Sequence, residues 1–177
     1  MQTGRRWKDA QEAVATLAPY ICQFDPDGID VILFDHAVEK FSGIRAPEQV
    51  QALFEKHKPR GSTNLALALH SAFKGHFGSE RAATTVLVIT DGEPDSRSEV
   101  ERIIVRAANS AESKDELSIS FIQIGEDKQA TKFLQYLDDD LSIEGGGKCK
   151  MDIVDTVPLS QYKHMPFGEL VTNSLYD

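Results

Sequence analysis

Apolar residues near the start of the chain lie three or four positions apart, which is the pattern of a helix with one buried face. This spacing predicts an amphipathic helix over residues 5–23. The run at 31–34 is continuously apolar, which is typical of a strand that is covered on both faces. Residues 38–44 indicate a weaker edge strand, and Pro47 is well placed to begin a short helix.

The second half of the chain alternates between helix and strand patterns more cleanly. It predicts, in order, a helix from Leu65, a strand at 86–89, a helix opened by the capping box of Ser96 and Glu99, a strand at 119–124, a helix capped by Asp127, a strand at 153–154 and a helix at 167–175. Strands that alternate with helices form mostly parallel sheets with helices on both faces. We therefore expect a three-layer α/β fold in which 31–34, 86–89 and 119–124 share one mostly parallel sheet.

The composition is that of a folded domain and excludes fibrous and disordered classes. The chain has 177 residues, of which 41% are hydrophobic and 27% charged, and we interpret 1–177 as one domain. There are 28 acidic and 19 basic residues, giving a net charge of −9, so nucleic acid is not an expected partner. No apolar run approaches the ~20 residues of a membrane-spanning helix, so no membrane association is expected.

The cysteines and the N-terminal residues bear on cellular location. Cys22 and Cys149 are the two cysteines of the chain, too few for a disulfide framework, which favours reduced thiols in the cytoplasm. Residues 1–6 are followed by no apolar segment of the kind found in signal peptides.

Two polar loops follow predicted strands or lead into helices, at the sheet edge where α/β proteins bind ligands. The loop 61–65 consists mostly of small residues, and the loop 90–95 follows the most apolar strand. Asp91 offers a hard oxygen ligand, and a Thr63 hydroxyl facing it would form one side of a Mg²⁺ or Mn²⁺ site. The alternative is that Thr63 and Asp91 are simply capping and turn residues.

These loops resemble two metal-site loops of the von Willebrand factor A (vWA) domain family. The family's second loop reads G-x-T-[ND]-L, and residues 61–65 read G-S-T-N-L; its third is an apolar strand ending in T-D-G, and residues 86–92 read V-L-V-I-T-D-G. The resemblance covers about residues 1–160 and is greatest to small, often stand-alone bacterial members with a T-D-G-E-P-D loop. It implies a Rossmann-like sheet with a metal-ion-dependent adhesion site, where Thr63 and Asp91 coordinate Mg²⁺ directly or through water. A carboxylate from a partner protein would complete the coordination sphere.

The sequence departs from the family pattern at its first strand. The family's D-x-S-x-S loop, which supplies most metal ligands, is not found, and residues 1–7 are similar to what normally follows it. The domain is therefore expected to be N-terminally truncated relative to the family, with the strand either lost or upstream of Met1. If the strand is lost and the chain begins at Met1, we expect a gap or an exposed apolar edge between strands 31–34 and 86–89. Low solubility, strand exchange or self-association such as dimerisation should result. Mg²⁺ or Mn²⁺ should bind weakly or not at all unless the loop is supplied.

Two functions of different class follow from these residues. The first is a non-enzymatic protein–protein interaction module that binds a partner's acidic residue through an incomplete metal site. The second is a metal-dependent hydrolase that uses Asp91, Glu93 and Asp95 as metal ligand and base. The first is favoured mainly by the resemblance, and an enzyme is disfavoured because the sequence shows one acidic loop and no nucleophile with an assigned base. The acidic triplet 138–140 is interpreted as a solvated helix end.

Overall fold

Helices and strands alternate along most of the chain. The structure is a computed structural model, and it describes residues 6–25, 27–58, 61–78, 83–141 and 148–158. The elements are, in order, α1 (Arg6–Phe24), β1 (Ile29–Phe34), β2 (Val38–Ile44), α2 (Pro47–Lys56), α3 (Leu65–Gly78), β3 (Thr84–Thr90), α4 (Arg97–Ser110), β4 (Leu117–Gln123), α5 (Lys128–Gln135), a π-helical turn (Tyr136–Asp140) and β5 (Val154–Pro158). The predicted helix at 167–175 lies outside the described residues.

The strands form two sheets rather than one. β3, β4 and β5 make a parallel sheet in that order, flanked by helices, which confirms the mixed α/β architecture. β1 instead pairs with β2 in an antiparallel hairpin. The expectation that 31–34 and 86–89 belong to one sheet is wrong for the residues described, because β1 and β3 lie in separate sheets. A cavity lies between the two strands, at the position where a gap was expected.

The main core lies around β4, the central strand of the parallel sheet. Ile119 and Phe121 are fully buried there, among apolar residues of α3, α4 and α5. A second apolar cluster joins α1 and α2 to the hairpin and includes Ala18, Ile44 and Val50. The helix α3 contacts β1 and α4, so it connects the hairpin to the main core.

Local side-chain chemistry starts two of the helices where the sequence predicts. The Ser96 hydroxyl accepts a hydrogen bond from the Glu99 amide at 3.3 Å, which caps α4. The Asp127 carboxylate accepts from the amides of Gln129 and Ala130 at 2.9 and 3.0 Å. These two backbone donors hold the pKa of Asp127 below its usual value, because they favour the charged form.

The acidic triplet is not the fully solvated helix end that its composition suggests. It falls in the π-helical turn, where Asp138 is half-buried. Burial, with the charges of Asp155 and Asp139 nearby, raises the pKa of Asp138 to about 6. That interpretation is therefore wrong for Asp138, because the strand β5 returns beside the turn and brings Asp155 with it.

Candidate functional site

One loop connects the carboxyl ends of β1 and β3. The Asn64 amide donates to the carbonyl of Asp35, the residue that follows β1, at 3.0 Å. On its other side the loop meets the segment after β3, where the Thr63 amide donates to Asp95 Oδ1 at 2.9 Å. Gly61 begins the loop with a φ of +83°, a conformation that side chains other than glycine rarely adopt. The carboxyl ends of β1 and β3 therefore lie at the same end of the molecule.

Both residues predicted as metal ligands line one cavity. Its volume is about 710 Å³, and Thr63 and Asp91 lie on its wall together with Asp35. Asp91 is 6% exposed, whereas Thr63 is half-buried. The structure thus brings the two loops of the resemblance to a common space, as the sequence predicts.

Asp91 has a neighbour that the sequence pattern does not reveal. Arg6, in the first turn of α1, donates from Nη1 to Asp91 Oδ2 at 3.4 Å. The two residues are 85 positions apart, so no local spacing relates them. The guanidinium places a fixed positive charge beside the carboxylate that was expected to hold a cation.

Asp35 is a second residue that the sequence pattern did not single out. Its position directly after the apolar strand at 31–34 was the available signal, since such positions lie at the functional edge of a sheet. Its Oδ1 accepts from the Ala37 amide at 2.9 Å and contacts His36 Nδ1 at 2.8 Å. These contacts of the Asp35 carboxylate help to stabilise the turn between β1 and β2.

The other two acidic residues of the loop after β3 are exposed and turn toward neighbouring groups. Glu93 pairs with Arg97 at 2.7 Å, one helical turn along the chain. The Asp95 carboxylate accepts the Thr63 amide, and the Asp95 amide donates to the Thr63 carbonyl at 3.0 Å. Both carboxylates therefore hold the loops in place.

The predicted ligands are of the chemical type that Mg²⁺ prefers, but there are too few of them. Thr63 and Asp91 offer a hydroxyl and a carboxylate oxygen, whereas Mg²⁺ prefers about six oxygen ligands in octahedral geometry. Within the described ranges, no group of three or more His, Cys, Asp or Glu side chains could hold a metal ion. The residues described therefore do not by themselves fit a resident Mg²⁺ ion, and Arg6 adds repulsion at Asp91.

The thiols offer little nucleophilic character. Burial, with Asp152 and Glu101 nearby, raises the pKa of Cys149 to about 11. Burial also raises the pKa of the Cys22 thiol. Because the thiolate is the reactive form, both cysteines stay protonated at neutral pH.

The sequence matches no family model, and a search of curated proteins gives no match. The resemblance to vWA domains therefore rests on the two loops and on the order of the elements around them. In the part of the chain that the structure describes, no helix has both the length and the apolar character needed to cross a bilayer.

Proposed function

We propose that this chain is a non-enzymatic protein–protein interaction module of the vWA type. Its binding surface is the edge formed by the loops 61–65 and 90–95, and its ligand is a carboxylate on a partner protein. The observation that carries the proposal is that Thr63 and Asp91, the two residues of the resemblance, line the same cavity at the carboxyl ends of β1 and β3.

A cation at this edge would attract the partner's carboxylate. Mg²⁺ or Mn²⁺ would take oxygen ligands from Thr63 and Asp91 if further ligands were supplied by the partner or by an added D-x-S-x-S loop. With these two ligands alone the ion is held weakly. Arg6 meanwhile supplies a permanent positive charge beside Asp91, with 37% of its side chain exposed.

The hydrolase alternative has less support. Glu93 forms an ion pair with Arg97, and Asp95 is hydrogen-bonded to Thr63, so neither is placed as a general base beside a metal. The raised thiol pKa values of Cys22 and Cys149 favour inert, reduced cysteines. We include a cytoplasmic location in the proposal because two cysteines are too few for a disulfide framework.

Affinity capture from cell extract with immobilised protein tests the proposal. We expect wild-type protein to retain a specific partner in the presence of Mn²⁺, and Asp91→Ala to lose it. Asp115→Ala is the matched control, because Asp115 is an exposed carboxylate in the turn before β4. Equal retention by Asp91→Ala would contradict the proposal.

A second measurement separates the two functional classes. Generic phosphatase and esterase substrates are incubated with the protein and Mn²⁺. We expect no turnover above that of the Asp91→Ala variant. Turnover that depends on Asp91 would favour the hydrolase.

A further inference from the structure

Asp91 is a buried carboxylate, and a buried charge needs a compensating partner. Its side chain is 8% exposed and lies directly after β3. An ionised carboxylate that is removed from water is stable only where a cation or several hydrogen-bond donors compensate for its lost hydration. A cation does lie beside Asp91, because Arg6 Nη1 is 3.4 Å from Asp91 Oδ2. The chain therefore supplies from its own residues a positive charge that the resemblance assigns to a metal ion.

Arg6 lies at the ends of two neighbouring parallel strands. Asp91 follows β3, and Gly125 lies two residues beyond the end of β4. A Cβ atom at position 125 would be 3.4 Å from Arg6 Nε, so the guanidinium lies directly beside this glycine. The carboxyl ends of parallel strands are the positions where α/β proteins bind ligands. Arg6 therefore lies at the edge of the sheet that is most suited to a binding site.

The contact with Asp91 engages only part of the guanidinium. This group carries five N–H donors in one plane. Among the residues that the structure describes, the bond from Nη1 to Asp91 is the one hydrogen bond that the Arg6 side chain donates. Because 37% of that side chain is exposed, a ligand can reach it from solvent. Arg6 can thus compensate Asp91 and bind a second carboxylate at the same time.

The other carboxylates near this edge are already compensated, and together they limit the charge of the ligand. Two backbone donors at the start of α5 lower the pKa of Asp127, and the charge of Arg6 adds to this effect. Glu93 pairs with Arg97 at 2.7 Å, and the Asp95 carboxylate accepts a backbone amide at 2.9 Å. These carboxylates repel an anion in proportion to its charge, so a singly charged ligand is favoured over a doubly charged one.

We propose that the Arg6 guanidinium, held in place by Asp91, takes the role of the metal ion and binds the partner's carboxylate directly. The inference rests on the proposed function for the choice of ligand, and it differs from that function in needing no metal. A planar guanidinium matches the two oxygens of a carboxylate, so the site selects Asp or Glu side chains. Asp91 is then a positioning residue for Arg6 rather than a metal ligand.

The probes are two short peptides, acetyl-GDG-amide and acetyl-GNG-amide, which differ in a single carboxylate. Each is titrated in EDTA at constant ionic strength, and the Arg6 Nε–Hε signal is followed by NMR of nitrogen-labelled protein. The signal is assigned by its absence from Arg6→Gln. We expect a saturable shift with the GDG peptide and none with the GNG peptide. The Kd should be on the order of 10 mM, because one exposed charged contact is weak. Equal shifts with both peptides, or no shift with the GDG peptide, would overturn the proposal.

Substitutions of Arg6 test which group binds the peptide, with the Gly125 amide signal as the readout. Arg6→Gln should abolish binding, and Arg6→Lys, which keeps the charge but loses the planar donors, should weaken it at least about threefold. Arg102→Gln is the matched control and should leave binding unchanged, because Arg102 is an exposed arginine that pairs with Glu99 on α4. Unchanged binding by Arg6→Gln, with a spectrum that is otherwise that of the folded protein, would contradict the role of Arg6.

The same titration in Mg²⁺ separates this inference from the metal-dependent form of the proposed function. We expect equal binding of the GDG peptide in EDTA and in Mg²⁺. If the peptide instead binds only in Mg²⁺, and Arg6→Gln strengthens that binding, the inference fails and the proposed function stands. If the peptide binds under neither condition, carboxylate recognition itself is contradicted.

Inorganic phosphate tests the chemical class of the ligand. A phosphate group is mainly doubly charged above neutral pH. The carboxylates around Arg6 should therefore repel it, and we expect it to bind more weakly than the GDG peptide. Tighter binding of phosphate than of the GDG peptide would overturn the assignment of a carboxylate ligand.

Discussion

Thr63 and Asp95 are joined by two reciprocal hydrogen bonds. The Thr63 amide donates to Asp95 Oδ1 at 2.9 Å, and the Asp95 amide donates to the Thr63 carbonyl at 3.0 Å. This pair fastens the loop before α3 to the loop after β3. It therefore sets how Thr63 lies relative to Asp91, the other residue of the candidate site.

Asp95→Ala should loosen this connection. The variant loses the side-chain bond but keeps the backbone bond, so we expect the free energy of unfolding to fall by about 1 kcal/mol. Urea denaturation measures it, with Asp115→Ala as the exposed control that should change stability by less than about 0.5 kcal/mol. A loss no larger than that of the control would show that the Asp95 carboxylate does not hold the loop.

Mn²⁺ binding by the wild-type chain should be weak. Two oxygen ligands beside a guanidinium predict a Kd of order millimolar or worse by isothermal titration. Fusing an upstream strand that ends in D-x-S-x-S should tighten binding, and Asp91→Ala should abolish that gain. Tight binding by the unmodified chain would mean that other groups complete the site.

Arg6→Gln tests the guanidinium separately. Removing the positive charge at 3.4 Å from Asp91 should strengthen Mn²⁺ binding several-fold, because the repulsion between the cations disappears. Arg102→Gln is the control, since Arg102 is exposed and pairs with Glu99 on α4. An equal effect of the two variants would indicate a general change in net charge rather than contact with Asp91.

His76 should contribute strongly to stability. Its side chain is 1% exposed, Nδ1 lies 2.9 Å from Thr84 Oγ1, and Nε2 lies 3.3 Å from Glu116 Oε1. The ring thus joins α3 to the starts of β3 and β4. His76→Ala should lower the free energy of unfolding by about 2–4 kcal/mol, because it leaves buried polar groups behind. His36→Ala is the control, since the His36 side chain is 59% exposed.

Asp138 should make stability depend on pH. Its pKa is raised from 3.8 to about 6 in the folded protein, so the folded state binds this proton more tightly than the unfolded state does. The resulting stabilisation is present in full below about pH 4 and is lost as pH rises through about 6. Asp155, Asp139 and Asp152 are the charges that oppose its ionisation.

Asp138→Asn should therefore raise stability at pH 8 but not at pH 4. We expect a gain on the order of 1 kcal/mol at pH 8, reduced by solvent screening because the group is only half-buried. Urea midpoints at both pH values measure it, with Asp115→Asn as the control. A gain of the same size at pH 4 would exclude the titration of Asp138 as its cause.

The type and order of the elements could be predicted from the sequence alone. The continuous apolar run of β3 and the capping residues Ser96 and Asp127 are local signals, and the structure places strand and helices there. The loops carrying Thr63 and Asp91 line one cavity, and hydrogen bonds between Thr63 and Asp95 hold them together. Whether these residues bind metal or a partner stays a prediction.

Only the tertiary structure decided which distant residues meet. The contact between Arg6 and Asp91, the division of β1 and β3 into separate sheets and the burial of Asp138 beside Asp155 all join segments that are far apart in the chain. Hydrophobic periodicity reports which face of an element is buried, and it does not report what lies against that face. The charge beside Asp91 depends on how α1 packs against the end of β3, so no local pattern could have predicted it.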